Sequence, residues 1–316
     1  MLTRFRLPLA VVLGLSLVTV GCGKYSFASL KAKKSFQDAN ALYQQQDYKR
    51  AAEKYEEVLQ TDPELVTAYF FLGNSYDNLY KPARVGEAEN DAYLQKAIEN
   101  YKISAEKETD PKMRKLAMEY LVNSYGPDRL NDPAQAEPIV KQMIEMEPNE
   151  PTNYFALAKI YEDSGMYDEA EAMLLKAREV RPNEPTVYTT LAGYYNRQGE
   201  FDKTIEALEA RAEKEPDNPE AFQTIATYYW DKAFRDFRLT DAEKKEYVLK
   251  GIDAADRALL LKDDYIDALT YKNLLLRLQA NLEKDPNVQK ALMSEAERLH
   301  ERAIELQKRK TAGVGD

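Results

Sequence analysis

Apolar residues recur at spacings of three and four along most of the chain, most clearly at Tyr154, Leu157, Ala158 and Tyr161 and again at Ala170, Leu174 and Ala177. Such spacing gathers them on one face of a helix. The two runs, separated by Gly165, read as an antiparallel pair in which Ala158, Ala170 and Ala177 are small enough for close approach. The pattern returns as Tyr188, Leu191, Ala192 and Tyr195, then Thr204 and Leu208 beyond Gly199. Pro148, Pro182 and Pro216 bound these pairs at intervals of 34 residues, inside the matching stretches Glu147-Pro148-Asn149-Glu150-Pro151-Thr152 and Arg181-Pro182-Asn183-Glu184-Pro185-Thr186. A helix interior does not tolerate proline, so each stretch is a corner where one helix stops and the next begins. One unit cannot bury its apolar face alone, so copies at a fixed period must stack.

In that phase the chain divides into approximate units 34–65, 66–111, 112–148, 149–182, 183–216, 217–264 and 265–306. The first carries Ala39, Leu42, Ala51 and Tyr55. The second carries Tyr69, Leu72, Gly73 and Tyr76, and an insertion around Lys81 to Asn90 delays its partner helix to Ala97 and Tyr101. The third is degenerate, with Leu121, Tyr125, Ala136 and Val140. The sixth has Phe222, Ile225 and Tyr229, an insertion from Asp231 to about Lys250, then Gly251, Ala255 and Ala258. Within that insertion Thr240 precedes Glu243 by three residues, a capping box that predicts an early start and a long second helix. The seventh ends on a charged helix with Ala296 and Ala303, where a packed or half-buried His300 is expected. Residues 307–316 read as a disordered tail.

The unit resembles the tetratricopeptide repeat, with its large apolar residue, Leu-small pair and aromatic on a first helix, alanine and aromatic on a second, then proline. The resemblance implies an all-α fold, a right-handed α-solenoid of about seven such pairs, with a concave groove lined by the first helices. Carried onto this sequence, the groove residues are Asn40, Tyr43, Phe70, Asn74, Asp77 and Asn123 in the earlier units. In the later ones they are Phe155, Lys159, Glu162, Thr189, Asn196, Gln223, Thr227 and Trp230. Trp230, the sole tryptophan, either anchors a partner or packs under the adjacent insertion. Asn40 and Asn74 match relatives that grip a terminal carboxylate, but Phe36, Leu116 and Tyr120 stand where those relatives need cations.

Composition agrees with a folded helical chain: 44% apolar and 31% charged residues with only 12 Gly and 14 Pro. The net charge of -10 argues against nucleic acid as a partner. His300 and Cys22 are the only histidine and cysteine. No cofactor, metal site, small-molecule substrate or catalytic constellation is expected. Arg4 and Arg6, an acid-free apolar run from Leu7 to Val20, and Gly21 before Cys22 form a secretory signal over residues 1–21. Val18-Thr19-Val20-Gly21-Cys22 resembles the box preceding the lipidated cysteine of bacterial lipoproteins. That resemblance implies acylation at Cys22, a lipidated tether over 22–33 and, from Gly23, the outer membrane facing the periplasm. An uncleaved anchor and a secreted chain are the other readings of those residues. The expected role is a lipid-anchored, non-catalytic periplasmic scaffold or adaptor that holds a protein or peptide during cell-envelope assembly. The alternative is a structural solenoid that self-assembles through its insertions.

Overall fold

The computed structural model describes residues 27–313. The signal stretch, Cys22 and residues 314–316 lie outside the described residues. Among the described residues the secondary structure is helical, in two compact units. The first holds α1 (Phe27–Gln44), α2 (Tyr48–Thr61), α3 (Thr67–Leu79), α4 (Ala88–Lys107) and α5 (Pro111–Ser124), together with Asp128–Leu130. The second holds α6 (Pro133–Met146), α7 (Pro151–Asp163), α8 (Tyr167–Val180), α9 (Pro185–Arg197) and α10 (Phe201–Lys214). It continues through α11 (Pro219–Arg235), α12 (Asp241–Leu261), α13 (Ile266–Leu282) and α14 (Pro286–Thr311). Within each unit, among the described residues, successive helices pack on one another, the order of an α-solenoid.

The proline corners are built from local chemistry. Pro151, Pro185 and Pro219 each occupy the first position of a helix, where the missing N–H costs nothing and the fixed φ suits the turn. The corner then closes on itself: the Tyr154 hydroxyl donates to the Pro148 carbonyl at 2.9 Å, and Tyr188 repeats the bond to Pro182 at 2.7 Å. The tight turn inside each pair is made by Gly165 and Gly199, at φ +75° and +77°, a left-handed conformation that a side chain would strain.

A second recurring bond ties successive pairs together. The Tyr195 hydroxyl on α9 donates to Glu171 on α8 at 2.8 Å, and Lys203 on α10 reaches the same carboxylate at 3.2 Å. Tyr76 on α3 does the same with Glu56 on α2 at 2.5 Å, with Lys96 of α4 donating to its hydroxyl at 3.0 Å. Tyr161 on α7 donates to Glu137 on α6 at 3.0 Å, and there the lysine, Lys141, comes from α6 itself. Burial, then the bond to Glu171, pushes the Tyr195 phenol up to about 12. Burial raises the Glu171 carboxyl, but the Tyr195 hydroxyl and Lys203 outweigh it and hold it below its usual range. Each latch fastens a first helix to the second helix before it.

In the first unit the core is aromatic. Tyr55 and Tyr101 are fully buried, Phe71 stacks on Tyr55 at 5.9 Å, and Phe70 meets Tyr120 edge-on at 5.4 Å. Each such side chain contributes roughly 1.5–3 kcal/mol by burial. The insertion after α3 folds into a 3-10 turn at Pro82–Arg84. Buried Asn90 clasps it, accepting from the Lys81 amide at 2.8 Å and donating to the Lys81 and Arg84 carbonyls at 3.1 Å.

The second unit ends on a core of Leu269, Leu276, Ala296, Leu299 and Ala303. The Thr240–Glu243 capping box is present, and α12 runs for 21 residues as the sequence predicts. Gly251 sits where a Cβ would come within 2.9 Å of Leu275, so the long helix approaches α13 closely. Three expectations are corrected. His300 is exposed, because Leu299 and Ala303 take the inward positions of α14. Helix α14 continues to Thr311 through residues assigned to a disordered tail; Lys308, Arg309 and Lys310 favour its carboxyl end electrostatically, and Arg309 pairs with Glu305. Helix α1 starts at Phe27, inside the stretch assigned to the tether.

Candidate partner-binding faces

The residues assigned to the groove fall on first helices, but the two units treat them differently. In the first unit most of them are spent on internal bonds. Asn40 accepts from the Tyr55 hydroxyl at 2.6 Å, and the Tyr43 hydroxyl donates to Asn74 at 2.5 Å. Burial, then the neighbouring Tyr48 phenol, raises the Tyr43 pKa. Asn74 also accepts from Asn78 at 2.9 Å, and Phe70 is in the core. Asp77 is 9% exposed, accepts weakly from Tyr101 at 3.4 Å and is ion-paired to Arg129, whose guanidinium also lies 5.8 Å from the Tyr80 ring. Asn123 is exposed on α5. Phe36 and Tyr120, which stand where relatives that grip a carboxylate need cations, are in aromatic contact with Tyr55 and Phe71 and with Phe70 and Tyr101.

In the second unit the face is more accessible. Phe155 is half-buried; Lys159 is exposed and paired with Asp163 one turn on, at 2.5 Å. Glu162 takes a two-pronged bond from Arg197 of α9, at 2.8 and 2.9 Å. That guanidinium, against the opposing effect of burial, holds the Glu162 carboxyl below the usual range. Thr189 and Asn196 are exposed on α9, and on α11 Gln223 donates to the Thr227 hydroxyl at 2.8 Å. Trp230, half-buried, stacks on Phe234 at 5.1 Å and 9° and meets Tyr271 of α13 edge-on at 5.7 Å. Phe234 is 60% exposed and Phe237, in the turn after α11, is 87% exposed.

Sequence reasoning missed Arg129, Arg197, Phe234 and Phe237. Phe234 could have been found, since it follows Trp230 by one helical turn on the same face. Arg129 carries no local signal, because it meets Asp77 across 52 residues of chain.

The repeats are matched by two family models. One described as "Tetratricopeptide repeat" covers residues 129–194, and one described as "TPR repeat" covers 39–79. No curated protein matches the chain significantly. Among solved structures, the C-terminal part of a TPR repeat-containing protein from Cytophaga hutchinsonii is similar over 86% of this chain and 98% of its own, at 16% identity and a TM-score of 0.55. MamA is similar over 62% of this chain and 93% of its own, at 18% identity and a TM-score of 0.43. YrrB, a TPR protein with an unusual peptide-binding site, is similar over 63% and 97%, at 18% identity and a TM-score of 0.42. The chain therefore carries tetratricopeptide repeats, a kind of repeat that binds proteins or peptides, on an all-helical fold like that of the Cytophaga protein.

Proposed function

We propose that this chain is a non-catalytic scaffold or adaptor of the bacterial cell envelope. It is held by acyl chains on Cys22 at the periplasmic side of the outer membrane, and it grips a protein or peptide on the first-helix face of its second unit. The observation that carries the binding face is the half-buried Trp230, braced by Phe234 and Tyr271 and bordered by exposed aromatic surface. Rigid, half-desolvated aromatics with polar residues on the same helix (Gln223 and Thr227) are what protein hot spots are made of. The first unit, whose equivalent residues are bonded to one another, serves on this reading as structural support. The signal stretch and the position of Cys22 support the address.

Photo-crosslinkers placed at Trp230 and Phe155 in living cells should capture one defined partner, identified by mass spectrometry, while one at Asn40 captures none. Labelling equally efficient at all three positions would overturn the assignment of the face. Cys22→Ser should release the chain from membranes, and a chain that stays membrane-bound and unprocessed would overturn the anchor.

Self-assembly through the insertions is the second reading, favoured by Phe237 standing 87% exposed between α11 and α12. A strict monomer at high concentration in light scattering removes it.

A further inference from the structure

The bond that fastens Tyr76, Tyr161 and Tyr195 to a preceding glutamate is not made by Tyr229 of α11. In the two later latches the glutamate lies 24 residues before the tyrosine. The residue at that offset from Tyr229 of α11 is Ile205 of α10. Tyr229 is 6% exposed, and its hydroxyl finds no hydrogen-bond partner among the described residues. The space beside it is correspondingly open. Between α10 and α12, over α11, lies a groove of about 950 Å³, against about 240 Å³ between α8 and α10 and about 470 Å³ between α2 and α4, where the latches are closed.

The floor of this groove is apolar and aromatic: Phe201, Ile205, Phe222, Ile225, Tyr229 and Tyr247. Along its α10 edge stand Asp202, Glu206, Glu209 and Glu213, all exposed. They follow helical spacing over about 16 Å at 1.5 Å per residue. None is hydrogen-bonded or ion-paired to a side chain among the described residues. On the α12 edge the cations are already engaged, Lys250 by Glu246 at 2.8 Å and Arg257 by Asp253 at 3.2 Å. An apolar floor, one uncompensated acidic edge and a tyrosine hydroxyl open to the groove define the complement of an amphipathic helix with Lys or Arg along one side of its apolar stripe.

We infer that the groove between α10 and α12 is a second docking site, for a basic amphipathic helix of a partner protein. It concerns residues other than the first-helix face and stands or falls separately from the function proposed above. The grooves beside the Tyr76 and Tyr195 latches are smaller, and at this one Ile205 stands where a latch glutamate would.

The test uses the full chain in detergent and a fluorescein-labelled synthetic helix of Leu, Ala and Lys, with the lysines along one edge of the leucine stripe. A second peptide has Glu for Lys. Anisotropy should show the basic peptide binding and the acidic one not. Glu209→Lys with Glu213→Lys, both on exposed surface, should weaken binding about tenfold or more at low salt, and high salt should shrink that difference. Glu53→Lys with Glu64→Lys, the same charge change in the first unit, should leave it unaltered. Ile205→Glu, which returns a carboxylate to the latch, should abolish binding while circular dichroism stays helical; should it fail to fold, the surface reversals decide. Equal binding of both peptides, or binding unmoved by the α10 reversals, would overturn the inference. So would a dimer of the chain that those reversals dissolve, since the occupant would then be a second copy.

Discussion

Glu162 shows how a single side chain can be removed from one role and given another. Its spacing marks it as a groove residue, yet the carboxylate is turned into a two-pronged bond with Arg197 from the next first helix. Its pKa in the folded chain lies below the ordinary glutamate value. The pair therefore contributes stability above about pH 4.3, and that contribution is lost as the pH falls through the folded-state pKa. Because Arg197 is half-exposed, the contribution is no more than about 1 kcal/mol. Melting of the native chain and Glu162→Gln should differ by a constant amount from pH 7 to about 5 and converge as the pH falls through the lowered folded-state pKa; a gap unchanged at acid pH would assign the loss to packing. The packing tyrosines and prolines were legible in the sequence, because each obeys a period. The partners of Asp77 and Glu162 were not, since an ion pair between distant residues leaves no periodic trace.

At the scale of elements, α12 is longer than the second helices of the regular repeats, and its early start was legible from four residues. Thr240 caps the Glu243 amide at 3.3 Å while the Glu243 carboxylate returns to the Thr240 amide at 2.7 Å. Thr240→Ala should lower stability by about 1 kcal/mol. The loss should show as faster hydrogen exchange in the first turns of α12, with Thr240→Ser close to the native chain. Exchange unchanged in that segment would mean that packing on α11 alone sets where the helix begins. The ends of the chain were harder to read. Helix α14 continues through a run of charge that resembles a frayed tail in composition, and only its ion pairs and the favourable helix end distinguish it.

For the molecule as a whole, the corners make the chain divisible. Residues 151–184 span α7, α8 and the following corner, and removing them joins Glu150 to Pro185-Thr186 in the order that Pro151-Thr152 already has. Tyr188 then stands where Tyr154 met the Pro148 carbonyl, and Tyr195 where Tyr161 met Glu137. Stability in such arrays is close to a sum of units and their interfaces. The shortened chain should remain helical and melt cooperatively, whereas removing 151–174, which joins the corner to the middle of α8, should give an aggregating or molten product. Similar behaviour of the two deletions would show that register at the corners does not govern the stack.

The sole tryptophan has a consequence of its own. Trp230 lies between Phe234 and Tyr271 at the junction of α11 with α13, so the red-edge emission of the whole chain comes from one address in the second unit. The first unit, with tyrosine and phenylalanine alone, is optically silent under selective excitation. A ligand that touches the Trp230 face announces itself in the colour of that light, and events in α1–α5 go unseen until a second chromophore is introduced there.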